Sequence, residues 1–91
     1  MEIKWTDVDP DTEEKRFLRA DRFARKWRFA WRTRRGEQWD CSLTPTLTMW
    51  EHVLETLERR YRRRDGVSDE DIADVKVIVA DVRRRLAAAG S

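Results

Sequence analysis

The side chains able to do chemistry are few and scattered. His52 is the single histidine, flanked by Glu51 and Glu55 on what the spacing predicts to be the polar side of a helix. A Glu/His helix can ligate a metal, but a third ligand at matching spacing is missing, so His52 reads as a surface residue. Cys41 is the single cysteine, which excludes an internal disulfide. No histidine lies along its strand to activate it, so a buried, inert thiol is expected. Ser42 and Ser68 lack any nucleophile context, and three glycines leave no phosphate-cradling loop. The expectation is a protein that is not an enzyme and takes no cofactor, metal or small-molecule ligand.

The stretch RKWRFAWRTRRGEQWDCSL, Arg25 to Leu43, is of another kind, because arginines and aromatic rings alternate in it. Its period is two, as in a half-buried strand: Trp27, Phe29, Trp31 and Thr33 share one face, and Arg28, Ala30 and Arg32 the other. A three-residue loop, Arg34-Arg35-Gly36, would set Trp31 opposite Trp39, Phe29 opposite Cys41 and Trp27 opposite Leu43. A two-residue loop would slip the register by one and send the two aromatic sets to opposite faces, so the three-residue loop is expected.

Elements must then position these faces. Asp9-Pro10-Asp11-Thr12 is a turn sequence that can join a strand around Glu2–Asp7 to one around Lys15–Ala20. The rival is a helix over 10–31, with Asp9 as N-cap and Pro10 at its first position. It would turn Phe29 away from Trp27 and Trp31, so strands are preferred. Pairing Lys15 with Arg32, Phe17 with Ala30 and Arg19 with Arg28 places Lys15, Phe17 and Arg19 on the arginine face.

In the second half, Thr48 and Glu51 have capping-box spacing. Trp50, Val53, Leu54, Leu57 and Tyr61 then form one helical stripe ending before Gly66. Ser68-Asp69-Glu70-Asp71 starts a second helix whose seam is Ile72, Val75, Val79, Val82 and Leu86. Two helices so closely joined should form an antiparallel hairpin. The predicted fold is α+β, within one domain over 1–91. A small antiparallel β-meander of three or four strands (2–44) precedes an antiparallel helix pair (48–88) covering its tryptophan face, and the tail 89–91 is frayed.

Charge is distributed in blocks. The net charge is only +2, so electrostatic arguments must be local. Residues 13–35 hold ten bases and three acids. Arginine outnumbers lysine sixteen to four and asparagine is absent, as coding bias in a GC-rich genome produces without any function. The first expected function is nucleic-acid binding in the cytoplasm. Its contacts would be Lys15, Arg19, Arg28, Arg32, Arg34 and Arg35, with Phe17 as an exposed stacking ring. Arg60, Arg63 and Arg64 form a secondary basic patch. Most arginines of the 59–64 run are expected to be absorbed by the helix C-terminus, by Asp69-Glu70-Asp71 and by Glu55–Arg59 and Glu58–Arg62 pairs. Likewise Arg83-Arg84-Arg85 should lie near Glu51 and Glu55. The alternative is a protein-interaction subunit or homodimer using Val77 and Ile78, which add apolar area outside the seam. Neither a signal peptide nor a membrane partner is expected, since no apolar run nears the roughly 18 residues of a spanning helix.

Overall fold

The computed structural model describes residues 1–33 and 38–90. The chain is α+β: strands β1 (Glu2–Val8), β2 (Lys15–Phe23) and β3 (Lys26–Arg32), then helices α1 (Leu47–Arg62) and α2 (Asp69–Ala89). The strands form one antiparallel sheet in the order β1-β2-β3, and the chain divides into two compact units, 1–44 and 45–91.

In the first unit, the expected turn joins β1 to β2. The Asp9 carboxylate accepts the Asp11 N–H at 2.9 Å, and the Asp9 N–H donates to the Glu14 carbonyl at 2.8 Å. Asp7 and Arg16 face each other beside this turn, and the guanidinium donates twice to the carboxylate, at 2.9 and 2.8 Å. The alternative helix over 10–31 is overturned, because that span holds a turn, β2, a second turn and most of β3. Alternation wins: it keeps Phe29 beside Trp27 and Trp31, as a 3.6-residue period cannot.

β2 runs past Ala20 to Phe23. Ala24 and Arg25 close a two-residue hairpin with φ of 51° and 64°, the left-handed pair of a type I′ turn. Phe17 therefore pairs with Arg32 and Arg19 with Ala30, two residues from the expected register. A shift of two preserves every face. Ile3, Trp5, Leu18, Ala20, Trp27, Phe29 and Trp31 share the apolar face, where Ile3, Leu18, Ala20 and Phe29 are buried. Trp5 meets Phe29 edge-on at 6.4 Å between ring centroids.

Among the described residues, the strand expected after β3 contracts to a single bridge. Trp31 and Asp40 exchange two backbone hydrogen bonds, at 3.1 and 2.8 Å. Trp31 is thus opposite Asp40, not Trp39, a slip of one residue that sends Trp39 and Cys41 to the arginine face. Cys41 is exposed, against the expected buried thiol. The loop Arg34-Arg35-Gly36 lies outside the described residues.

In the second unit, α1 starts two residues earlier than expected. Its N-cap is Thr46, whose hydroxyl accepts the Met49 N–H at 3.3 Å, instead of Thr48. Met49 is buried together with Trp50, Val53 and Leu57. At the C-terminus the Arg64 N–H donates to the Tyr61 carbonyl and the Asp65 N–H to the Arg60 carbonyl, the Schellman pattern. The left-handed position of that pattern belongs to Arg64, φ 58°, and not to Gly66, which follows at φ 76°. Ser68 caps α2 as expected: its hydroxyl accepts the Asp71 N–H and its own N–H donates to the Asp71 carboxylate. The two helices pack on each other, with Val75 and Val79 buried and Ile72 and Val82 half-buried. Leu86 is exposed, so the seam ends one turn earlier than its spacing suggests. Arg83 reaches Glu51 at 2.9 Å, joining the end of α2 to the start of α1 as an antiparallel pair must.

Candidate functional site

Strand alternation builds the site. Opposite the apolar face, β1 presents Lys4, β2 presents Lys15, Phe17, Arg19, Asp21 and Phe23, and β3 presents Lys26, Arg28, Ala30 and Arg32. The five sequence-predicted residues Lys15, Phe17, Arg19, Arg28 and Arg32 are therefore brought together. Arg34 and Arg35 lie outside the described residues. Against six cations, the strands place only the acids Glu2 and Asp21 on this face.

Trp39 arrives on the face from the segment after β3. The Arg19 and Arg32 guanidiniums lie 4.7 and 4.5 Å from its ring centroid. Arg32 is also 5.7 Å from the Phe17 centroid, and the Lys15 ammonium is 5.6 Å from the same ring. Such pairings leave each cation charged while the aromatic quadrupole orders it. The Nε of Arg19 is 2.8 Å from an Asp21 carboxylate oxygen, an ion pair whose N–H is not aligned as a hydrogen bond. Asp40, behind Trp39, accepts the Ser42 N–H and hydroxyl, which hold its carboxyl below the usual range.

Phe17 is half-buried among these cations, so it is not the exposed ring that was expected. That role falls to Phe23, 77% exposed at the end of β2. Ending β2 at Ala20 hid it, although the alternation Phe17, Arg19, Asp21, Phe23 was there to be followed. Arg28 pairs in register with Asp21 and is exposed, and among the described residues it has no ion-pair partner. A shallow groove runs here, lined by Arg19, Asp21, Phe23, Arg28, Cys41 and the buried Ala30.

The secondary basic patch is less absorbed than its spacing suggests. Among the described residues, Arg60, Arg63 and Arg64 form no ion pair with Asp69-Glu70-Asp71. It is the Tyr61 hydroxyl that meets Asp69, whose carboxylate pushes the phenol's pKa up. Arg59 donates to the Thr56 hydroxyl at 3.4 Å. Arg84 and Arg85 pair with Asp81 on their own helix, so only Arg83 makes its expected contact with α1.

His52 is half-buried, which corrects the surface reading. Burial chiefly, and the Arg59 charge, lower its pKa, with Glu55 opposing. Among the described residues no three His, Cys, Asp or Glu side chains are grouped to hold a metal ion. Val77 is exposed and Ile78 half-buried. No described helix is long and apolar enough to cross a membrane. No protein-family model, curated protein or solved structure matches the chain.

Proposed function

We propose that the chain is a non-enzymatic cytoplasmic binding module that holds the phosphate backbone of nucleic acid on the basic face of its sheet. The observation that carries this reading is the composition of that face, six cations against two acids with Phe17, Phe23 and Trp39 among them. Counterion release from phosphates gives such a surface affinity without sequence specificity, and aromatic rings interleaved with cations are the usual platform for bases. Phosphate contacts are assigned to Lys15, Arg19, Arg28 and Arg32, and from the sequence to Arg34 and Arg35. Arg60, Arg63 and Arg64 are a secondary anionic contact.

Arg28 is the sharpest probe, since among the described residues its side chain has no ion-pair partner. Arg28→Gln should weaken binding and lower the slope of log affinity against log salt by about one. An unchanged slope counts against the assignment of Arg28, and absence of binding at low salt against the whole reading.

A second reading, a homodimer or accessory subunit of a protein complex, is favoured by Val77, 69% exposed on α2. Leu86 is exposed too, but nine residues further along a helix it points the opposite way, so the two make no single patch. Sedimentation over a dilution series tests self-association through Val77, and a monomer at all concentrations removes it.

A further inference from the structure

Resting on the reading of the sheet as a phosphate-binding face, we infer that its ligand is a single strand, with one unpaired base stacked on Phe23 and a flanking phosphate on Arg28. Three observations converge on it. Phe23 is a large apolar ring left 77% in water, on the face that carries the cations and not on the apolar face. The other two rings of the face are already engaged: Phe17 by Lys15 and Arg32, and Trp39 by Arg19 and Arg32. Phe23 has no cation against it among the described residues, so it is the ring open to a new stacking partner.

The groove beside Phe23 supplies the rest. Arg28 borders it without an ion-pair partner among the described residues, ready for a phosphate. Ala30 forms part of its floor. Two carboxylates, Asp21 and Glu2, also line the groove, and their pairing with Arg19 and Lys4 tempers their repulsion of a polyanion. In a duplex each base face is covered by its neighbours, and an exposed ring finds no partner without unstacking. A single strand offers its π-faces freely, whatever the base.

The test is fluorescence anisotropy with labelled oligonucleotides of one sequence, single-stranded and as duplex, with ribo- and deoxyribo-strands as separate arms. In at least one arm the wild-type chain should bind the single strand tighter than the duplex. There Phe23→Ala should lose about tenfold in single-strand affinity, while Phe23→Trp retains it and duplex binding does not move. Circular dichroism checks that both variants fold. Equal binding of single strand and duplex in both arms overturns the inference and leaves the phosphate-binding reading standing. A single-strand preference that survives Phe23→Ala overturns the assignment to Phe23. No binding of any oligonucleotide at low salt overturns both the inference and the reading beneath it.

Discussion

Arg16 shows how one residue can be basic and still play no part in a basic surface. It lies on the apolar side of the sheet, mostly buried, and gives both prongs of its guanidinium to Asp7. That carboxylate raises the Arg16 pKa further above its usual value. Lysine cannot reproduce a two-pronged contact, so Arg16→Lys should lower stability by about 1–2 kcal/mol in urea denaturation. No loss would mean that the pair is ornamental. His52 makes a prediction of the opposite charge sense. Burial and Arg59 set its folded pKa below the ordinary 6.5, so the unfolded chain binds the proton more readily. Its contribution is present above pH 6.5 and is lost as pH falls through 6.5 toward the folded value. Between about pH 7.5 and about pH 5.5 the wild type should therefore lose more stability than His52→Gln. Equal losses in the two proteins would contradict this. The sequence placed His52 correctly on its helix but not its burial, which helical spacing alone does not determine.

At the scale of elements, three turns bend through left-handed residues other than glycine: Glu13, φ 60°, lies in the β1–β2 turn. Ala24-Arg25 occupies two left-handed positions in the β2–β3 hairpin, and Arg64 occupies one at the end of α1. A left-handed L-residue costs about 1–2 kcal/mol, much of which glycine avoids. Replacing Ala24-Arg25 by Asn-Gly, or Arg64 by Gly, should each raise stability by about 0.5–1 kcal/mol, read as a shift in the denaturation midpoint. A loss would mean that these side chains make contacts outweighing their strain. The same turns mark where the sequence was legible and where it was not. Faces were legible: alternation alone put Lys15, Phe17, Arg19, Arg28 and Arg32 on one side, and the strand register could be wrong by two without disturbing that. The end of β2 was not, because Ala24-Arg25 carries no turn signal. Trp39 was misplaced for a related reason. Burying it beside Trp31 looked favourable, but two guanidiniums on the other face stack against its ring, and a one-residue slip delivers it there. The helix ends followed the same pattern. Ser68 and Asp71 formed the box their spacing announced, whereas the first helix starts from Thr46 and not Thr48, whose capping-box spacing with Glu51 offered an equally good start.

For the whole molecule, a net charge of +2 gives almost no overall field, so binding of a polyanion must come from the way the charge is sorted. The sheet sorts it, with most of its cations on one face and most of its large apolar side chains on the other. Coding bias can raise the number of arginines but cannot sort them, since the sorting follows from where each falls in the alternation. The sorted face is proposed to bind nucleic-acid phosphates. The most direct test of that proposal is the affinity for a labelled single-stranded oligonucleotide, measured by anisotropy from about 50 to about 200 mM salt. Log affinity should fall steeply and linearly with log salt, with a slope shallower by about one unit in Arg28→Gln. An affinity that salt does not change, or no binding at about 50 mM salt, would contradict it.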